Sequence, residues 1–178
     1  HITKNYSKYL GGKKKLLVIF RGINTENIEQ STTTEEQEDK LKKKWELNIG
    51  KKIILMPGRL TSWKGQEIFI EALNIVNKEL GYGKIYGIIL GSDQGRDLYK
   101  KKLIRLVEQH RMTKQIKFIE HCSKMPLAYK ISDIVVSASI EAEAFGRVAV
   151  EAQSMEKPII ASDIGGSNET VIDEKTGF

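Results

Sequence analysis

The sequence has little cysteine and no long apolar run. A single cysteine, Cys122, leaves no partner for an internal disulfide, and nothing in the sequence indicates secretion. The longest strongly apolar segments, such as LLVIF at 16–20, have the length of a strand, whereas a membrane-spanning helix needs about 20 apolar residues. The sequence therefore predicts no transmembrane helix, and its composition, 40% hydrophobic and 29% charged, is that of a globular domain.

Several motifs for cofactors and metals are also absent. The chain has neither the G-x-x-x-x-G-K-[ST] spacing of a P-loop nor the G-x-G-x-x-G that marks a nicotinamide or flavin site. His110 and His121 lack ligand spacing, and no Asp-x-Asp ends a strand. We therefore expect no cofactor and no metal site.

The charge is basic, with 29 Lys and Arg against 23 Asp and Glu, a net charge of +6. The lysines are scattered and dense only at 11–15 and 40–45, and the few aromatic residues do not interleave with them. A surface that binds single-stranded nucleic acid combines basic and aromatic side chains. We therefore expect a solvated basic face and no nucleic-acid partner.

From Ile53 onward, strand-length apolar runs alternate with amphipathic stretches. In the stretch 65–80, Ile68, Ala72, Ile75 and Val76 share one face at helical spacing, and in 97–110 the inward residues are Leu103, Leu106 and Val107. The Ile/Val-rich strands lack polar alternation, which suits a parallel sheet covered on both faces. The predicted fold class is α/β, a doubly wound, Rossmann-like parallel sheet. Strands are predicted at 53–58, 84–91, 116–119, 133–139 and 158–162, and helices at 65–80, 97–110, 125–131 and 146–156.

The first fifty residues have a different character. KLLVIFRG at 15–22 could form one more strand, and a linker is predicted at about 22–33. The segment TTEEQEDKLKKKWEL reads as a helix with an N-cap threonine, acids in its first turn and lysines later, an order that complements the helix dipole. Leu41 and Trp45, four residues apart, could dock this helix. Without an initiator Met, and with KTGF as its last residues, the chain reads as a fragment.

The loops after the strands hold the candidate functional residues, because ligands of an open α/β sheet bind beyond the carboxyl ends of its strands. GRLTSWKG places Arg59 and Lys64 in one such loop. The guanidinium group of Arg can bind two oxygens of one phosphate, and Lys adds a positive charge on a flexible side chain, so the pair suits a diphosphate. Two solvated surface cations are the alternative.

EAFGRVAVE, at 143–151, sets one carboxylate before a helix and another inside it. Gly146 begins the helix, where free N–H groups attract anions, and the amides of Phe145 and Gly146 can face a phosphate or sugar oxygen. A nucleotide sugar fits, with ribose hydroxyls on Glu151 and sugar hydroxyls on Glu143. The alternatives are that Glu143 only complements the dipole and that Glu151 only pairs with Arg147.

The ordered motifs resemble those of the C-terminal, donor-binding half of a family 4 glycosyltransferase of the GT-B fold. RGIN at 21–24 resembles the family's Asn-Gly-Val-Asp stretch, and GRLTSWKGQEIFIEAL resembles its Gly-Arg-Leu…Lys-Gly segment. The run from SDIVVSAS to the final TGF holds the E-x7-E pair and the Gly-Gly-x-x-Glu turn. The resemblance covers nearly the whole chain. Ala138 and Ala144 depart from it where prolines are frequent, as do Glu156, where a glycine-containing turn is usual, and GSDQGRD, in place of Gly-x-Gly-Pro.

The resemblance implies roles for the candidate residues. Arg59 and Lys64, with Gly58 beside them, match the diphosphate-binding segment, and Glu143 matches the glutamate near the transferred sugar. The resemblance also implies which residues bind the rest of the donor: Phe145 and Gly146 at sugar and phosphate, Glu151 at the ribose, and His121 and Lys124, from EHCSKM, near the base. The role of Glu169, at the Gly-Gly-x-x-Glu position, stays open.

The implied function is retaining transfer of a sugar from a nucleotide-diphosphate sugar to an acceptor, in polysaccharide or glycolipid biosynthesis. Residues 1–33 would be the tail of a preceding domain and a linker, and 34–178 a C-terminally truncated donor-binding domain that is inactive alone. The acceptor sugar or lipid-linked sugar would bind mainly to the N-terminal domain. A cytoplasmic enzyme is expected, with peripheral contact at the inner face of the plasma membrane as one arrangement. A nucleotide-sugar epimerase of the same fold and a non-catalytic nucleotide-binding module are the alternatives.

Overall fold

The structure, a computed structural model, describes residues 19, 22–24, 33–48 and 50–178. The strand predicted at 15–22 and most of the linker predicted at 22–33 fall outside these residues. Among the described residues, no helix has the length and apolarity needed to cross a membrane.

A parallel five-stranded sheet in the order β3-β2-β1-β4-β5 organises the domain. β1 lies in the middle and pairs with β2 on one side and β4 on the other. This confirms the predicted doubly wound parallel fold. The strands are β1 (Lys52–Pro57), β2 (Ile85–Leu90), β3 (Ile116–Ile119), β4 (Ile134–Ser137) and β5 (Ile159–Ala161), and the helices are α1 (Glu35–Lys44), α2 (Gln66–Leu80), α3 (Asp97–Gln109), α4 (Met125–Ile131), α5 (Arg147–Ser154) and α6 (Ser167–Thr170), with a short 3₁₀ helix at Ser62–Lys64.

Helices cover the sheet on both faces. Alternate residues of β1 point to opposite faces, so that Leu55 joins one apolar cluster and Met56 the other. The first cluster includes residues of α1, α4 and α5, and the second includes residues of α2 and α3. All six residues of β2 are buried, which explains why its sequence lacks polar alternation.

Helix α2 packs through a different face from the one predicted. Ile68 and Ile75 are 52% and 57% exposed, and Ala72 is exposed as well. Of the four residues on the predicted face, Val76 is half-buried and packs against the core. The buried face carries Phe69, Ile70 and Leu73 together with the polar residues Gln66, Asn74 and Asn77. Gln66 Nε2 donates to the carbonyl of Arg59 at 2.9 Å, and Asn77 Nδ2 donates to that of Leu73 at 3.0 Å. Because these amides are buried, the inward face is not the most apolar one in the sequence.

The predictions for α1 and α3 are confirmed. The Thr34 hydroxyl accepts from Gln37 N at 3.3 Å and caps α1, while Leu41 and Trp45 are buried against the cluster that contains α4. In α3, Leu103 and Val107 are buried and Leu106 is half-buried. Both helices therefore pack as their apolar spacing indicates.

Candidate active site

The loops after β1 and β4 meet at the carboxyl edge of the sheet, at the ends of two neighbouring strands. β1 and β4 are neighbours, and the chain leaves β1 toward α2 on one face and β4 toward α5 on the other. Such a switch in strand order is where open α/β sheets bind ligands. The amide of Ile140 donates to the carbonyl of Trp63 at 2.8 Å. Gly65 has a φ of 77°, and a Cβ there would lie 1.9 Å from the carbonyl oxygen of Ala138. Only glycine therefore allows the two loops to approach this closely.

Lys64 and Glu143 form an ion pair where these loops meet. Lys64 Nζ lies 2.7 Å from Glu143 Oε1, and their side chains are 13% and 16% exposed. The Ser139 hydroxyl donates to the same carboxylate oxygen. The Lys64 ammonium also lies 4.6 Å from the centroid of the Trp63 ring, a distance for cation–π attraction. A Cβ on Gly58 would lie 3.7 Å from Lys64 Cδ, so the stem of Lys64 runs beside Gly58.

The turn before α5 rests directly on the Gly165–Gly166 backbone. Gly166 N donates to the carbonyl of Glu143 at 2.7 Å. A Cβ on Gly165 would lie 2.6 Å from Glu143 O, and one on Gly166 would lie 2.6 Å from the carbonyl carbon of Phe145. The two glycines therefore let two backbone segments pack together and fix the position of Glu143. Gly146, with a φ of 71°, begins α5, whose first N–H groups have no side-chain cap.

Glu151 lies on α5, roughly 7–8 Å along the helix axis from Gly146. Its side chain is 18% exposed, and Oε1 forms an ion pair with Arg147, with Nε at 2.8 Å. Its other oxygen, Oε2, accepts from the Tyr129 hydroxyl at 2.7 Å. The pairing with Arg147, one of the alternatives from the sequence, is therefore present, and a hydrogen bond from α4 accompanies it.

The other predicted residues lie at the carboxyl edge without joining this cluster. Arg59 is exposed and follows β1, in the same loop as Lys64. His121 and Lys124 are exposed in the loop after β3, which is the outermost strand on one side of the sheet. The structure thus brings Gly58, Lys64 and Glu143 together and sets Glu151 on the adjoining helix. In the part of the chain that the structure describes, no group of three or more His, Cys, Asp or Glu is placed to hold a metal ion.

Sequence reasoning missed several residues of the cluster. Ser139 precedes Glu143 by four positions in a loop, a spacing with no rule of its own. Tyr129 comes from a helix more than twenty positions before Glu151, so no local pattern connects the two. Trp63 reads as an ordinary apolar residue next to Lys64. Only the folded chain shows that these three side chains contact the predicted ones.

Comparison with known proteins gives the family. The family model described as "Glycosyl transferases group 1" matches residues 37–178. The chain belongs to this family. A crystal structure of a glycosyltransferase from Rickettsia africae is 34% identical, with a TM-score of 0.90 over 99% of this chain and 46% of that one. HepE of Anabaena, solved in complex with UDP and glucose, is 26% identical, with a TM-score of 0.84 over 98% of this chain and 46% of that one.

A curated relative also matches nearly the whole of this chain. Spore coat protein SA of Bacillus subtilis is 28% identical over 97% of this chain and 46% of its own length. The chain thus spans about half the length of that curated relative. This chain has the parallel α/β sheet and flanking helices of a GT-B glycosyltransferase domain. The resemblance predicted from its motifs is therefore confirmed at the level of the glycosyltransferase group.

Proposed function

We propose that this group 1 chain is the donor-binding half of a retaining family 4 glycosyltransferase, an enzyme that moves a sugar from a nucleotide-diphosphate sugar to an acceptor. The observation that carries the proposal is the Lys64–Glu143 pair, held at 2.7 Å where the loops after β1 and β4 meet. A cation for phosphate oxygens and a carboxylate for sugar hydroxyls are the two groups that such a donor needs side by side.

The cationic residues act on the leaving group. When the bond to the anomeric carbon breaks, negative charge develops on the departing diphosphate. Lys64, Arg59 and the uncapped N-terminus of α5 lie at the edge where that charge would form, and fixed positive groups stabilise it in the transition state. Lys64 has three N–H donors, so it can bind a phosphate oxygen while its stem stays beside Gly58.

The donor would lie across the start of α5. The amides of Phe145 and Gly146 face its sugar and phosphate, Glu143 binds hydroxyls of the transferred sugar, and Glu151 binds the ribose. The loop that carries His121 and Lys124 meets the base. Because HepE of Anabaena was solved with UDP and glucose, we propose a uridine nucleotide as the donor.

The acceptor side belongs to a second domain in this proposal. The chain covers less than half of the curated relative and of the two solved structures named above, which supports a second domain in the whole enzyme. Within this chain we propose that residues 1–33 are the tail and linker and that residues 34–178 are the donor-binding domain. The second domain would bind the acceptor sugar or lipid-linked sugar. We assign the whole enzyme to polysaccharide or glycolipid synthesis in the cytoplasm, with peripheral contact at the inner face of the plasma membrane.

Calorimetric titration of the chain with UDP, GDP, ADP and their sugar adducts tests the proposal. We expect saturable binding of UDP, and no loss of affinity in excess chelator, because Lys64 and Arg59 supply positive charge to the diphosphate. A strict requirement for Mg²⁺ or Mn²⁺ would contradict the cationic diphosphate site. Absence of binding by every nucleoside diphosphate up to roughly 1 mM, about −4 kcal/mol, would overturn the proposed function.

A further inference from the structure

Tyr129 reaches from α4 to the carboxylate of Glu151 on α5. Its hydroxyl donates to Oε2 at 2.7 Å, and the residue is only 2% exposed. Arg147 forms an ion pair with the other oxygen, with Nε 2.8 Å from Oε1. Oε2 is thus held by a hydrogen bond from α4 and Oε1 by an ion pair within α5. This arrangement fixes both the position of the carboxylate and its rotation about the Cγ–Cδ bond.

The acceptor sites of this carboxylate are only partly used within the protein. An ionised carboxylate offers about four acceptor sites, two on each oxygen. The phenol takes one site on Oε2, and the guanidinium lies beside Oε1 as an ion-pair partner, which leaves at least one site on each oxygen. Burial, with the nearby Glu151 carboxylate, raises the pKa of Tyr129, so the phenol keeps its proton and stays a donor. Two free sites on adjacent oxygens match two adjacent hydroxyl groups.

We propose that Tyr129, together with Arg147, is a positioning residue that aligns Glu151 to accept one hydrogen bond from each hydroxyl of a ribose cis-diol, which makes the site selective for ribonucleotides over 2′-deoxyribonucleotides. The inference rests on the proposed function, because it assumes that a nucleotide binds at Glu151. The proposal also explains why the hydroxyl of Tyr129, a buried residue of α4, donates its hydrogen bond to a carboxylate and not to a backbone carbonyl.

The test compares UDP with 2′-deoxy-UDP in calorimetric titrations of the wild-type chain and Tyr129→Phe. The wild type is expected to prefer UDP by roughly tenfold or more, the size of one hydrogen bond to a charged group. Tyr129→Phe keeps the ring and removes the donor. We expect it to reduce that preference by at least about threefold, because the carboxylate is no longer held for both hydroxyls.

Tyr86→Phe is the matched control. Tyr86 is also buried, and its hydroxyl accepts one hydrogen bond from Asn48 N at 3.3 Å near the start of β2, away from the carboxyl edge. The control should keep the wild-type preference. Arg147→Leu gives a second arm at a side chain that is 62% exposed, where folding is little affected. It should lower the same preference, because Oε1 then loses its cationic partner.

The outcomes separate the inference from the proposed function. If the wild type binds UDP and Tyr129→Phe weakens UDP and 2′-deoxy-UDP by the same factor, Tyr129 only supports the fold and the inference is wrong. If the wild type binds UDP and 2′-deoxy-UDP equally well, the inference is also wrong, although the proposed function stands. If the wild type binds neither nucleotide, the proposed function fails and the inference fails with it.

Discussion

The ion pair of Lys64 and Glu143 serves mainly to position the two side chains and adds little to the stability of the fold. Both side chains are mostly shielded from solvent, and for such a pair the loss of hydration offsets much of the attraction between the charges. The hydroxyl of Ser139 and the ring of Trp63 add two further contacts. The ammonium is therefore held in place before any ligand arrives, which lowers the entropy lost on binding.

Lys64→Ala is expected to weaken the binding of a nucleoside diphosphate by about 1–3 kcal/mol, the range for a hydrogen bond to a charged group. Arg59→Ala should act in the same direction, because it removes the second cation of the loop. Lys52→Ala is the control, since Lys52 forms an ion pair with Asp133 at the same 2.7 Å but at the start of β1. If calorimetry finds unchanged affinity in both loop variants, this loop does not bind the diphosphate.

Gly65→Ala is expected to destabilise the domain by at least about 2 kcal/mol, since a left-handed backbone and an overpacked contact act together. Its added Cβ would meet the carbonyl oxygen of Ala138 at 1.9 Å. Gly95→Ala separates the two effects, because Gly95 has a φ of 78° and a Cβ added there would have nothing within 4 Å. If urea denaturation shows that the two variants lose the same free energy of unfolding, the close approach of the two loops does not require glycine at position 65.

The residue types of the site were predictable, but their contacts were not. Arg59, Lys64, Glu143 and Glu151 are charged residues in or after loops at the carboxyl edge, and the alternation of strands and helices places them there. The hydroxyls of Ser139 and Tyr129 become part of the site only through folding. Ser139 lies near Glu143 in a loop that has no periodic pattern, and Tyr129 lies on a different helix from Glu151.

At the scale of elements, three helices end in the same way without glycine. α1, α3 and α5 are followed by Glu46, Arg111 and Glu156, with φ of 54°, 56° and 56°. After α5, Glu156 N donates to the carbonyl of Gln153 and Lys157 N donates to that of Ala152. These two bonds form a Schellman motif, in which the left-handed position is usually glycine. The departure at Glu156 noted in the sequence therefore keeps the turn and places a side chain at a strained position.

Glycine at these positions should stabilise the protein. Arg111→Gly and Glu156→Gly should each raise the free energy of unfolding by about 0.5–1 kcal/mol, because relief of the left-handed strain outweighs the added freedom of the unfolded chain. Lys101→Gly, at an exposed position inside α3, should lower it by about 1 kcal/mol. Thermal melts measure these changes. If the two capping variants are destabilised as Lys101→Gly is, the left-handed residues carry no strain.

The elements themselves were largely predictable, and α2 shows where prediction fails. The five strands from β1 to β5 and the helices α2 to α5 all occur within a few residues of their predicted bounds. Periodicity identified α2 as a helix but not its buried face. Three amides, Gln66, Asn74 and Asn77, lie on that face, and the two isoleucines outside it, Ile68 and Ile75, are exposed. A rule that places apolar residues inside cannot anticipate amides that are buried there.

At the scale of the whole molecule, the proposed function depends on how one elongated ligand lies across the sheet. Glu143 lies in the loop before α5, against the Gly165–Gly166 turn, and Glu151 lies on α5 beside α4. The N-terminus of α5 lies between them. If the donor spans this distance, its two ends meet different carboxylates, and removal of one carboxylate affects only the ligands that reach it.

The most direct test compares UDP and UDP-glucose in titrations of the wild type, Glu143→Gln and Glu151→Gln. Glu151→Gln should weaken both ligands alike, by about 1–3 kcal/mol, because both carry ribose. Glu143→Gln should weaken UDP-glucose and leave UDP at least as tightly bound, since the charge of Lys64 is then no longer neutralised by its partner at 2.7 Å. If Glu143→Gln instead weakens UDP as much as Glu151→Gln does, the two carboxylates do not hold opposite ends of one donor, and the central claim is wrong.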